Sequence, residues 1–427
     1  MDSLPGTSAS VLYGDENYEK QLLNWYNEID SDDSDNETEL DPNEIEESVH
    51  DTESEQEDES EDIEHNKNES DNEEELDESE EDEIRNNYFY GKDRYKWSKE
   101  PAVSKNTRTM KYNIVTKLPG IKGIFYGEKQ NSALSIWTSL ITNDMLDIII
   151  RWTNVRLRRE RLKYKNQNHS DLRDFDVTEL KSFIGLLFFT SIFKSNTENI
   201  RSIFATDGSG RDIFRYVTNA NRFAILLICL RFDNPNDRSE RKKNDPIAPI
   251  SEVFNLFVAN CQRLYTLETG ACIDEMLIAF RGRSKFKIYM PNKPAKYGMK
   301  LMAPTDARTS YFYNGYLYCG KDSDGLTLSD EDRRKFAKPS QSVLRLAKPI
   351  FGSNRNITTD NWFSSVELVD MLKSKQLSFV GTLKKNKRQI PQECLPSRSR
   401  EVGSSVYGFT KTTTLVSYVP KQNKSVT

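Results

Sequence analysis

The chain has 427 residues, room for two or three domains, and a formal net charge of -7 that hides a sharp division. Between Glu28 and Glu83 stand 31 Asp and Glu against one Lys, so this stretch carries -30 and the remainder +23, the pattern of an acidic tail on a polyanion-binding body. The five cysteines form no C-x-x-C pair, against a disulfide framework or zinc module in this stretch; the three histidines lie in the tail or among polar residues, against histidine-based catalysis.

No secretory signal and no run of ~18 apolar residues is visible, so the chain reads as soluble and intracellular. Residues 1–84 read as a disordered acidic tail: they hold too little apolar surface to offset ordering, and their charges repel. Ser34-Asp-Asn-Glu37 and Ser79-Glu-Glu-Asp82 suit an acidophilic kinase. The tail either solubilises, binds basic partners such as histones, or folds back on the basic body. Residues 85–133 read as a linker holding Tyr88, Tyr90, Trp97 and the turn signal Leu118-Pro-Gly120, with part of it packed on the body.

From Ser132 the period becomes helical, and residues 134–267 are expected to form a helical domain. Thr142 is placed to cap a helix with an apolar stripe at Met145, Ile148, Ile149, Trp152 and Val155. Its basic end, from Arg156 to Lys165, is either a solvated face or a DNA contact. Asp176 with Glu179 resembles a capping box, followed by a helix whose apolar run Phe183–Phe193 is read as buried. Further helices are expected over 219–231 and 251–264, separated by a polar loop over 234–249.

At Gly270 the period changes to 2. Strands are expected over 271–280, 300–304, 311–319, 356–359 and 377–383, and helices over 342–350 and 365–374, giving a mixed α/β sheet over 268–383. That order matches the start of a ribonuclease H-like fold, in which the first and fourth strands are neighbours. Asp274 in the first and Asp360 at the carboxyl end of the fourth are then able to converge, as oxygen ligands for divalent ions that activate a phosphodiester. Asp360 reads equally as a turn former, and Glu275 equally as the functional acid beside Asp274.

The run Ile273-Asp-Glu-Met-Leu-Ile-Ala-Phe-Arg-Gly-Arg283, continued by Tyr289-Met-Pro-Asn-Lys-Pro-Ala-Lys-Tyr-Gly-Met-Lys300, closely resembles the piggyBac transposases around their first catalytic aspartate. Asn356-Ile-Thr-Thr-Asp-Asn-Trp-Phe-Ser364 resembles the run around the second. Phe379-Val-Gly-Thr-Leu383, Asn386-Lys-Arg-Gln-Ile-Pro391, Trp152-Thr-Asn154 and Cys229-Leu-Arg231 extend the resemblance over about residues 130–420. The resemblance implies a helical dimerisation and DNA-binding domain beside a ribonuclease H-like catalytic domain. It implies nuclear cut-and-paste transposition at TTAA targets with Mg²⁺ or Mn²⁺, double-stranded DNA as substrate and a homodimer. Asp274 and Asp360 are implied as catalytic metal ligands, and Arg281, Arg283, Lys293, Lys296 and Lys300 as the DNA face. Tyr289 and Tyr297 either flank DNA or pack. The family also has a third catalytic aspartate after a β-rich insertion and a cysteine-rich zinc domain. Residues 384–427 read as the start of that insertion, and neither later feature occurs in these residues. This chain alone is therefore expected not to transpose DNA, and the alternative is a domesticated, non-catalytic DNA-binding or chromatin-interaction protein.

Overall fold

The computed structural model describes residues 87–102, 114–122, 132–195 and 197–427; the acidic tail lies outside them, as do residues 103–113 and 123–131 of the expected linker. These residues divide into two compact units, one spanning Lys122–Leu264 and the other joining the residues up to Ile121 with Tyr265–Thr427. The second unit therefore begins with β1 (Tyr88–Tyr90), β2 (Lys96–Ser98) and β3 (Gly120–Ile121), the last paired antiparallel with β4 (Tyr265–Thr266).

The first unit is helical. α1 (Ala133–Leu140) is capped by Ser132, whose hydroxyl accepts the Ser135 N–H at 3.0 Å. α2 (Asn143–Arg161) starts at Thr142, but that side chain makes no capping bond. Its buried face includes Met145, Leu146, Ile149 and Leu157 together with Thr153, Asn154 and Glu160, so the expected stripe is rotated and Ile148, Trp152 and Val155 are only half-buried. Polar residues are tolerated inside because each is bonded. Asn154 exchanges two bonds with the Phe175 backbone, 2.9 and 2.6 Å long, and the Thr153 hydroxyl accepts the Arg231 N–H at 3.1 Å.

α3 (Val177–Ile192) is capped by Asp176, which accepts from the N–H groups of Thr178 and Glu179. Glu179 does not reach back as a capping box requires. It instead takes the buried Arg222 guanidinium through two bonds of 2.8 and 2.6 Å. Two short helices, α4 (Ile200–Ile203) and α5 (Asp212–Val217), lead to α6 (Ala220–Cys229), capped by Asn219. A short α7 (Arg238–Lys242) and α8 (Ala248–Leu264) complete the unit. Leu146, Leu157, Phe183, Phe214, Phe223 and Leu226 lie at the centre of the core. The run expected to be buried does not stay inside: Phe183 and Leu186 are buried, while Phe188, Ile192 and Phe193 are exposed. α3 is apolar around more of its circumference than its neighbours cover.

The basic end of α2 is held by the unit's own acids. Arg158 and Arg161 each reach Asp174 at 2.6 Å, and Arg156 and Lys163 lie 3.6 and 3.4 Å from Glu160. In the 234–249 loop, Arg238 and Arg241 clamp the buried Asp233 at 2.7 and 2.6 Å.

In the second unit, β5 (Gly270–Ala279), β6 (Lys287–Tyr289), β7 (Tyr297–Asp306) and β8 (Tyr316–Leu317) are followed by α9 (Asp330–Lys335) and α10 (Lys338–Ala347). Then come β9 (Asn356–Thr359), α11 (Val366–Ser374) and β10 (Ser378–Gly381). The sheet order is β10-β9-β5-β7-β6, with β8 also on β7. β5 runs antiparallel to β7 from Ala271↔Asp306 to Ala279↔Gly298, and parallel to β9 from Gly270↔Asn356 to Ile273↔Thr359. β7 is longer than expected. The strand expected over 311–319 shrinks to two residues and one bridge from Phe312 to Thr305, because Tyr313 and Tyr316 turn into the core. α9 escaped the sequence reading because Asp-Glu-Asp-Arg-Arg-Lys has no apolar stripe.

A buried polar cluster lies beside β8. The Tyr316 hydroxyl donates to Asp324 at 2.5 Å, Lys300 is buried with its Nζ 5.3 Å from the Tyr318 ring, and Arg345 stacks 3.7 Å from the Tyr316 ring. Burial pushes the Asp324 carboxyl up to about 6, against the Tyr316 bond and the charges of Lys300, Arg345 and Lys338. A raised carboxyl pKa stabilises the fold fully below the unfolded value, and the contribution is lost as pH rises through about 6. Asp324→Asn is thus expected to remove roughly 2–3 kcal/mol of the fall in stability between pH 4 and 8. Urea unfolding of both proteins across that range checks this; parallel pH curves would show that the carboxyl titrates normally.

The segment expected to be a linker joins a second sheet. With β11 (Ser405–Phe409), β12 (Thr414–Lys421) and β13 (Lys424–Val426), the strand order is β1-β2-β11-β12-β13. Trp97 on β2 is 1% exposed, donates its indole N–H to the Gln389 carbonyl at 2.8 Å, and packs with Val366, Ile390, Cys394 and Leu415. Three-residue strands carry almost no periodic signal, and β11, the second partner of β2 after the adjacent β1, lies some three hundred residues away.

Candidate active site

The parallel pairing of β5 with β9 decides the geometry. Ile273 and Thr359 are register partners, so Asp274 and Asp360 each follow one member of that pair. Neighbouring strands lie ~4.8 Å apart, which brings the two acids to the same edge of the sheet despite their separation in sequence. Ile273 is buried below, and Asp274 is exposed on the opposite face.

Asp360 is half-buried and its Oδ1 accepts the Trp362 N–H at 3.1 Å. Its carbonyl takes the Ser364 hydroxyl at 2.8 Å, and Ser364 also lies 3.1 Å from the Thr359 hydroxyl. Asp360 thus shapes the turn after β9. It does not cap α11, whose N-cap is Ser365, 3.2 Å from the Leu368 N–H.

Asp274 keeps an exposed surface, yet many protein atoms surround its carboxyl. That desolvation, then the neighbouring Glu275 carboxyl, pushes it up to about 6; the Glu275 N–H at 2.8 Å and Lys293 act in the other direction. Glu275 is buried and pairs with Lys293 at 3.0 Å. Burial acts to lower the Lys293 pKa, but Glu275, Asp274 and Asp360 together hold it above the ordinary lysine value. Burial, Asp274 and Asp360 likewise raise the Cys272 thiol. Three carboxylates therefore converge electrostatically on one ammonium.

The five basic residues of the expected DNA face separate. Arg281, Arg283 and Lys296 are exposed on the segment between β5 and β7, and Lys296 adopts a left-handed φ of 55° in a turn closed by its carbonyl on the Met290 N–H at 2.7 Å. Lys293 is half-buried at the carboxylates. Lys300 is buried in the Tyr318–Asp324 cluster, which removes it from any solvent-facing set. Tyr289 and Tyr297 pack on each other, ring centroids 4.8 Å apart.

Whether a divalent metal fits rests on the donors present. Asp274 and Asp360 are oxygen donors of the type a hard cation takes, and the acids around them already draw a lysine ammonium inward. Among the described residues, no group of three or more His, Cys, Asp and Glu is close enough to hold a metal. The fit is that of a two-carboxylate partial site.

Sequence reasoning placed Asp274 and Asp360 but missed Lys293 as their counter-ion; a basic residue in a Pro-Asn-Lys-Pro loop looks the same whether it meets phosphate or carboxylate.

A family described as Transposase IS4 matches residues 132–427. Among solved structures, the chain is similar to the piggyBac transposase synaptic complex with hairpin DNA, at 34% identity and a TM-score of 0.65, over 73% of this chain. This chain spans 62% of the length of that relative. The match of family and structure, together with the paired aspartates on adjacent parallel strands, establishes that the chain belongs to the piggyBac-type transposases.

Proposed function

We propose that this chain binds double-stranded DNA and contributes Asp274 and Asp360 to the divalent-metal site of a cut-and-paste transposition reaction. The observation that carries the reading is the registration of the two aspartates at one edge of a sheet ordered β10-β9-β5-β7. We read that order as ribonuclease H-like. It agrees with the similarity to a transposase solved on DNA. Asp274 and Asp360 would hold Mg²⁺ or Mn²⁺, which supplies Lewis-acid polarisation of the attacking and leaving oxygens when bound. Glu275 and Lys293 set the charge at this edge, and Arg281, Arg283 and Lys296 would neutralise phosphates beside it. TTAA targets, nuclear location and a homodimer belong to the same proposal, as does an acidic tail that meets basic chromatin partners.

The alternative reading is a domesticated DNA-binding protein without catalysis. Both readings expect a polypeptide of these 427 residues to bind duplex DNA. Binding should weaken steeply from 50 to 200 mM salt, with log K falling by ~0.9 per neutralised phosphate for each decade of salt. Fluorescence anisotropy with a duplex measures it, and a flat salt response would remove phosphate recognition from both readings. Divalent-metal-dependent nicking of the same duplex, present or absent, separates the two.

A further inference from the structure

The five-stranded sheet has two faces of opposite character. Its inner positions, Phe89, Trp97, Val406 and Leu415 among them, close over the small core of the second unit. Antiparallel register partners point to the same side of a sheet. Tyr88↔Ser98, Tyr90↔Lys96, Phe409↔Ser98, Tyr407↔Val416 and Tyr418↔Val426 therefore place five aromatic rings on the outer face. Tyr407 and Tyr418 are 49% and 45% exposed, and Tyr90 40%, so these rings are not core residues. Tyr407 and Phe409 lie nearly coplanar in orientation, 8° apart with centroids at 6.3 Å, and present parallel faces along one strand.

The charge on this face has one sign. Lys421↔Lys424 face each other at the β12–β13 turn, and the Lys96 ammonium sits 3.9 Å above the Tyr88 ring. The remaining outward strand positions carry Ser98, Ser405, Thr414, Val416, Pro420 and Val426, and no carboxylate. An apolar protein partner would leave these lysines without acids, whereas flat exposed rings bordered by ammonium groups suit stacked bases and their phosphates.

We propose that the outer face of this sheet is a stacking platform for unpaired DNA bases, with Tyr407 and Tyr418 as the main base contacts and Lys421 and Lys424 on the phosphates. It is separate from the Asp274–Asp360 edge and does not depend on metal. Double-stranded DNA hides its base faces, so the platform selects single strands, frayed ends or strand junctions. Such segments arise wherever a reaction on DNA parts the strands.

The test compares binding of the full 427-residue chain to a labelled oligothymidylate and to a duplex of equal length, without divalent ions. Tyr407→Leu/Tyr418→Leu keeps apolar bulk on the face and removes the rings. It is expected to weaken single-strand binding by at least about tenfold while duplex affinity stays within twofold. Tyr407→Phe/Tyr418→Phe should restore single-strand binding. Lys421→Ala/Lys424→Ala should flatten the single-strand salt slope by about 1.4, ~0.7 for each phosphate that is no longer neutralised. Unchanged single-strand affinity in the leucine variant overturns the platform, as does an equal loss for single strand and duplex. A shift in sedimentation of the leucine variant with no change in single-strand binding assigns the face to contact between copies instead. Thermal melting confirms that each variant is folded. Loss of duplex binding in the unmodified chain would sink the proposed function while leaving the single-strand result to stand or fall by itself.

Discussion

Arg222→Met is expected to destabilise the helical unit by about 3–5 kcal/mol, the largest loss we foresee from any single substitution there. Arg222 is 1% exposed, and its guanidinium makes four bonds: two go to Glu179, and the others to the carbonyls of Asp171 at 2.7 Å and Arg173 at 2.9 Å. This one side chain ties the start of α6 to the N-terminal turn of α3 and to the segment before it. Methionine fills the volume but leaves Glu179 half-buried with only the more exposed Arg173, and leaves two carbonyls short of a donor. Arg222→Met/Glu179→Leu should recover much of the loss, since exchanging both members of a buried pair for apolar groups is far less costly than removing one. Urea unfolding of the full chain, with hydrogen exchange followed in 177–192 and 220–229, gives the number. A single-variant loss under ~1 kcal/mol would show that water replaces the missing guanidinium.

The second large effect concerns the carboxylate pair. Asp274→Asn is expected to weaken Mn²⁺ binding by at least about tenfold, because an amide oxygen carries no charge for a hard cation. Duplex affinity without metal should remain within twofold. A proton competes with the cation for Asp274, whose carboxyl is pushed up to about 6, so wild-type Mn²⁺ affinity should drop as pH falls below about 6 and level off above it. The same shift has a stability consequence of opposite sense. The raised folded pKa contributes stability that is complete below the unfolded value and lost as pH rises through about 6, so the asparagine variant should melt higher than wild type at pH 8 and alike near pH 4. Because the residue keeps an exposed surface, water screens the charge and the gain should be about 1 kcal/mol or less. Titration calorimetry over pH 5–8 reads the metal. Equal Mn²⁺ affinity in variant and wild type would take Asp274 out of the ligand set.

Lys293 shows how the two predictions share one cause. A cation inside a group of acids is stable because the alternative is crowded negative charge, and Asp274, Glu275 and Asp360 all act on this ammonium. The helical unit solves the same problem at Asp233, held by Arg238 and Arg241. Many of the body's basic residues are therefore paired with its own carboxylates, and the +23 is the net surplus that remains after those acids are counted.

The amino-acid sequence by itself determined the elements with strong local signals. The 356–359 strand, the Asp176 cap and the apolar 251–264 helix follow from period and capping chemistry acting over a few residues. The pairing of Asp274 with Asp360 was also legible, because the alternation of strands and helices restricts which strands become neighbours. Tertiary structure alone decided the rest. Whether Lys293 meets phosphate or Glu275, whether Lys300 faces solvent or the Tyr318 ring, and whether Phe188 and Ile192 are covered depend on what packs opposite. The joining of Tyr88–Ser98 to strands beyond residue 400 is the clearest case. β2 pairs locally with β1, but its contact with β11 and the indole bond from Trp97 to the Gln389 carbonyl come from the other end of the chain, and nothing local to it records those partners.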